Sequence, residues 1–177
     1  MIKLYADASF SYTQTEKTTE NVVRGKIAIS NYYNLNVVEK VAVEKVPNLL
    51  QYINILELIA IARAVELACE MKERDRLLEI HTDSQVAVSW ANTGKVKQKV
   101  RTEAHTNALE YLRRASIKFG GRVSFHYVPR NNNPAGHLLQ AELDKGREPY
   151  EQGSVSVILL SKRPVKPSPL GLVYKAR

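Results

Sequence analysis

Three acidic residues stand where acids are uncommon. Asp7 closes an apolar run, Ile2 to Ala6. Glu57 sits inside a stretch rich in Leu, Ile and Ala, and Asp83 follows a second short run, Leu77 to Thr82. Carboxylates in apolar surroundings persist when they are paired or bound to a cation. Three gathered at one point would resist ionising together unless divalent cations neutralised them, and such hard oxygen donors suit magnesium or manganese. Each residue also has a purely structural reading. Glu57 lies three residues after Asn54, the spacing of a helix-capping pair; Asp83 with Ser84 fits a helix start; Asp7 fits a turn. The readings separate on whether the elements bring the three side chains together.

Periodicity supplies those elements. Ile2 to Ala6 reads as a buried strand, and the polar stretch Ser9 to Asn21 as a hairpin loop or arm. Val22 to Ser30 and Leu35 to Val46 alternate apolar and polar residues, with a turn at Asn34, so the first three strands form an antiparallel meander. From Asn54 to about Arg74 the spacing becomes helical and apolar nearly all round, which predicts a buried helix. A strand over Leu77 to Thr82 leads into a short helix through Trp90, broken by Gly94. A longer helix, about Val100 to Lys118, stops at Gly120-Gly121. Arg122 to Val128 alternates as a strand; Pro134 opens a last helix and Gly146 ends it.

This order predicts an α/β fold with a mixed five-stranded sheet, three antiparallel strands and then parallel ones, flanked by helices. With strands one and four adjacent and parallel, Asp7 and Asp83 share one end of the sheet. The buried helix crossing that sheet places Glu57 beside them. Residues 1–146 are then expected to form one domain. Residues 147–177 form a basic, Pro-containing extension with room for an extra strand at Val155 to Leu160.

Composition narrows the setting. Of 177 residues, 44% are hydrophobic and 25% charged, and no apolar run approaches the roughly 20 residues that span a bilayer. The first residues lack the basic start and long apolar stretch of a secretory signal, and the single Cys69 has no partner for an internal disulfide. The expectation is a cytoplasmic protein with no membrane association. A formal charge of +8 and a pI near 9.6 favour a polyanionic partner, although such a charge also serves solubility alone.

The motifs resemble those of one family. Tyr5-Ala6-Asp7-Ala8-Ser9, Asn54-Ile55-Leu56-Glu57-Leu58 and Thr82-Asp83-Ser84-Gln85 resemble the three successive metal-site motifs of type 1 ribonuclease H. Val128-Pro129-Arg130-Asn131-Asn132-Asn133 is similar to the segment that leads into the fourth motif in one subgroup. The resemblance covers about residues 1–146 and implies a ribonuclease H-like fold. It also implies an endonuclease hydrolysing the RNA strand of RNA–DNA hybrids with two divalent ions, magnesium or manganese. Asp7 would be shared by both ions, with Glu57 and Asp83 on the first.

At the fourth position this chain departs from the pattern. Where the subgroup carries Ala-Asp, Gly136-His137 stands here, and Asp144 lies seven residues further along, about 10 Å up the helix. The resemblance therefore casts His137 as ligand to the second ion, which would tilt preference towards manganese. The alternative is a bystander at a helix start, with the second ion weakly held. For substrate, the resemblance places Asn54, Gln85 and Ser9 near the ligands as polar contacts to the hybrid. Either of the first two is equally a cap or a solvated side chain. Lys95, Lys97 and Lys99, after Gly94, form a run that would track the DNA strand or merely face water. His81, His105 and His126 have no metal-ligand spacing and read as structural. Two further functions stay open: a nucleic-acid-binding module of the same fold with weak catalysis, and a nuclease of that fold acting on another nucleic acid.

Overall fold

Strand β1 (Ile2–Phe10) organises the molecule, because its two faces bury different things. Ile2, Leu4, Ala6 and Ala8 enter the main core, whereas Tyr5 joins Ala28, Ala135 and Leu139 on the opposite face. The computed structural model describes residues 1–10, 22–44, 50–71, 77–144, 155–157, 164–168 and 171–174. The loop or arm expected after Ser9 falls mostly outside these residues, as do Gly146 and the end of the helix expected near Arg74.

Strands β2 (Val22–Ser30) and β3 (Asn36–Glu44) complete the antiparallel meander, with Asp7 opposite Ala28 and Ile27 opposite Glu39. β4 (Leu77–Thr82) pairs parallel with β1, and β5 (Arg122–Tyr127) pairs parallel with β4. The five expected strands are all present. β6 (Val155–Val157) pairs parallel with β3, giving a six-stranded order β5-β4-β1-β2-β3-β6. It falls within Val155 to Leu160, where the sequence left room for a strand; residues 158–160 lie outside the described residues. Beyond it, β7 (Pro164–Ser168) and β8 (Gly171–Tyr174) pair antiparallel in a separate ladder.

Helix α1 (Leu50–Glu70) lies against the sheet with α3 (Glu103–Phe119) packed over it. That sandwich explains its all-round apolar character: Ile55, Leu56, Leu58, Ile59, Ile61 and Val65 are all fully buried. β2 approaches α1 closely at Gly25, where an added Cβ would sit 2.6 Å from Leu56 Cδ1. α2 (Gln85–Thr93) ends at Gly94, whose φ of 67° is left-handed and whose N–H returns to the Trp90 carbonyl. α3 starts at Glu103 rather than near Val100, because Thr102 caps it. Its backbone N–H donates to His105 Nδ1 at 3.0 Å, and His105 Nε2 faces Gln51 Oε1 at 3.2 Å. His105 is thus a buried cap residue. α4 (Pro134–Asp144) covers the other face of β1 and β2.

Candidate active site

The topology brings the three acids to one end of the sheet. Asp7 and Asp83 leave the parallel neighbours β1 and β4 on the same side, and Glu57 reaches them from α1. One carboxylate oxygen from each of Asp7, Glu57 and Asp83 lies within 4.8 Å of the other two. Among the described residues this is the one such group of three or more potential ligands.

Local structure removes each residue's structural explanation. Asp7 sits inside the β1–β2 ladder rather than in a turn. α1 begins at Leu50, not Asn54, so Glu57 lies beyond the first turn and cannot complete a capping pair. At α2 it is Ser84 that caps, its Oγ accepting from the Ala87 N–H at 3.1 Å. Capping and turn formation therefore do not account for the acids. Asp7 and Asp83 are half-buried and Glu57 is only 5% exposed.

Electrostatics tells the same story. Burial raises the Asp7 carboxyl to about 6, and the nearby Asp83 charge adds to the rise. Burial and the Asp7 charge push Glu57 well above the usual carboxylate range. Thr82 Oγ, fully buried beneath them, donates to Glu57 Oε2 at 3.5 Å. Three oxygen donors crowded together, two of them reluctant to ionise, fit a divalent cation well: the cation supplies the opposite charge that the protein withholds.

The cluster opens into a cleft of about 380 Å³ lined by Asp7, Ala8, Ile53, Asn54, Glu57, Asp83, Ser84, Tyr127 and Arg130. A second, open groove of about 750 Å³ shares Asn54 with it and runs past Gln85, Trp90, Lys95, Val96 and Lys97. Asn54 therefore stands at the junction, with Gln85 and two of the three candidate lysines along the groove. Lys99, exposed, and Ser9, half-buried two residues along β1 from Asp7, lie outside both linings.

The start of α4 packs directly on Asp7. Asn133 is fully buried; its Nδ2 donates to the Ala6 carbonyl at 3.1 Å, and its Oδ1 accepts from the Ala135 N–H at 3.2 Å. That anchor sets Gly136 so close that an added Cβ would lie 3.0 Å from Asp7 Oδ2. His137, the next residue, is exposed and outside the three-acid group. Hence the α4 position that touches Asp7 carries no side chain.

Solved structures match this architecture. RNase H1 of the halophilic archaeon Halobacterium salinarum NRC-1 superposes with a TM-score of 0.52 at 18% identity, over 81% of this chain and 98% of its own. The chain has a type 1 ribonuclease H fold. LC11-RNase H1, isolated from compost by a metagenomic approach, matches with a TM-score of 0.54 at 18% identity, over 81% of this chain and 96% of its own. Its complex with an RNA/DNA hybrid matches with a TM-score of 0.53 at 18% identity, covering 82% and 99%. No protein-family model matches the sequence, and no curated protein matches it either. On the ribonuclease H fold, sequence reasoning found the three acids but passed over Tyr127 and Arg130. Arg130 belonged to the quoted motif. Its place in the cleft depends on a 3-10 turn, Arg130–Asn132, that no periodicity reveals.

Proposed function

We propose that the protein is a metal-dependent endonuclease that hydrolyses the RNA strand of RNA–DNA hybrids. The observation that carries this reading is the meeting of Asp7, Glu57 and Asp83 within 4.8 Å at the mouth of an open cleft. A ribonuclease H fold and a structural neighbour solved with an RNA/DNA hybrid support the choice of substrate. Among the described residues no helix is long and apolar enough to cross a membrane.

In this reading Asp7, between Glu57 and the start of α4, would hold magnesium or manganese together with Glu57 and Asp83. His137, exposed beside Gly136, would offer a ring nitrogen to a second such ion. Bound there, the ions would supply an activated water and charge stabilisation for the leaving 3′ oxygen. The chain's own groups do the rest. Thr82 orients Glu57, and Arg130 offers a guanidinium to a phosphate entering the acid-lined cleft. Asn54 and Gln85 give amides suited to 2′-hydroxyls, with Ser9 nearby, and Lys95, Lys97 and Lys99 neutralise the DNA backbone along the groove. Residues 1–146 carry the activity and 147–177 form an extension to it.

One observation favours a second reading. The α4 position against Asp7 is glycine, so the chain sets no fourth carboxylate there, as a hybrid-binding module with weak catalysis would permit. Incubating the protein with hybrid, duplex DNA and single-stranded RNA, first with magnesium and then with manganese, separates the readings. Metal-dependent cleavage of the hybrid's RNA strand is the expected result. Tight hybrid binding without cleavage in either metal would instead establish the binding module, and preferential cutting of DNA would move the substrate.

A further inference from the structure

Tyr32, in the turn between β2 and β3, is the one non-glycine residue with a left-handed backbone among the described residues, at φ 76°. A bulky side chain is strained there, and such strain persists only where the surroundings over-determine it. Here they do. Asn31 Oδ1 accepts from the N–H groups of Tyr33 and Leu35 at 2.8 and 2.9 Å, while its Nδ2 donates to Asn34 Oδ1. The Tyr32 N–H donates to Ser30 Oγ at 3.1 Å, and that hydroxyl donates to Asn36 Oδ1 at 2.7 Å.

The held conformation has a consequence far along the chain. The Tyr32 ring packs edge-on against Tyr5, with centroids 4.9 Å apart, and its hydroxyl donates to the Asn132 carbonyl at 3.1 Å. Its neighbour Tyr33 is 86% exposed, so the turn delivers one tyrosine to this contact and not the other. Asn132 ends the 3-10 turn that begins at Arg130, and Asn133 follows as the anchor of α4 on β1. One tether thus reaches a segment with the cleft arginine at one end and the Asp7-facing helix at the other.

We infer that Tyr32 is a positioning residue: a strut from the β2–β3 turn that fixes the Arg130–Asn133 segment and, through it, the guanidinium at the cleft. The effect on substrate rests on the nuclease reading; the strut itself does not. Both are tested in the Asp7→Asn protein, which in the nuclease reading binds hybrid without cutting it. Tyr32→Phe, Arg130→Ala and the pair are compared by hybrid affinity and by amide hydrogen exchange at Asn133, Gly136 and His137.

Removing the hydroxyl should speed exchange at those three amides and weaken hybrid binding by about 3- to 10-fold, the range of one net hydrogen bond. In the Arg130→Ala background the same change should leave affinity unaltered. Tyr32→Gly, which relieves the backbone, should melt at the same or a higher temperature yet bind as weakly as Tyr32→Phe. Unchanged exchange in Tyr32→Phe, or an equal loss of affinity with and without Arg130, would overturn the strut. So would a lower melting temperature with unchanged affinity in Tyr32→Gly. If the Asp7→Asn parent binds no hybrid at all, the nuclease reading fails, and the exchange rates still decide the strut.

Discussion

Helix α1 carries two buried charged sites six residues apart, and they are built on opposite principles. At Arg63 opposite charges are paired, one guanidinium between two carboxylates. Its Nε donates to Glu39 Oε1 at 2.8 Å, its Nη1 pairs with Glu66, and the Tyr111 hydroxyl donates to Glu66 Oε1 at 3.1 Å. Burial alone would lower the Arg63 guanidinium, but the Glu39 hydrogen bond and charge hold it raised. At Glu57 like charges meet: two more carboxylates lie within 4.8 Å, and Arg130 is the one basic residue lining the cleft they share. Both side chains are about equally buried, 4% exposed for Arg63 and 5% for Glu57. A buried site whose charges face opposite charges is complete as a piece of structure. One that gathers like charges needs a partner from outside, and a divalent cation would answer the need.

The comparison breaks most sharply at Asp7. Asp7→Asn should lower hybrid cleavage on the order of 10³-fold, while circular dichroism and hybrid binding stay near the parent values. Retained cleavage would place the chemistry elsewhere. The Arg63 site should respond in the opposite way. Arg63→Met removes the buried guanidinium that joins Glu39 and Glu66 and should cost about 3–5 kcal/mol in urea unfolding, yet leave cleavage by the folded fraction intact. A loss near zero would mean that the pair is not buried as described.

The next effect is a dependence on pH. Asp7 rises from the ordinary 3.8 to about 6 in the fold, and Glu57 rises well above 4.5. A carboxyl raised on folding contributes stability that is complete below its unfolded pKa and lost as pH climbs through the folded one. The metal-free protein should therefore melt progressively lower from about pH 4 to beyond about pH 6, and manganese should restore much of the loss. In Asp7→Asn that slope should shrink. A metal-free melting temperature that rises over this interval would contradict the like-charge description. The smallest effect concerns the second ion. His137→Ala should weaken manganese-supported cleavage by about 10-fold while changing magnesium-supported cleavage less. Equal rates in both metals would make His137 a bystander.

Much of the fold was legible because hydrophobic period reports which face each element buries. The order of strands and helices followed from that alone; the parallel pairing of β1 with β4 that brings Asp7 and Asp83 together was a condition the structure meets. Ends of elements were less legible. α1 starts four residues before Asn54, since Leu50 to Ile53 carry no cap that stands out from the helix behind them. The Arg63 site was invisible as well. Glu39 and Arg63 are 24 residues apart, and only the packing of α1 across the sheet brings them together.

What the sequence by itself determined, then, was the sheet, its layers and three acids at one end of it, because each depends on local pattern and short connections. Tertiary structure decided what lies around those acids: Arg130 in the cleft, Asn133 pinned to Ala6, Tyr32 reaching Asn132, and Gly136 rather than His137 against Asp7. Those meetings turn on a rotation of about 100° per helical residue and on where the 3-10 turn at Arg130 begins. Neither is set by the residues that meet. Both are set by the packing of whole elements, so motif counting finds the neighbourhood and only the fold assigns the contact.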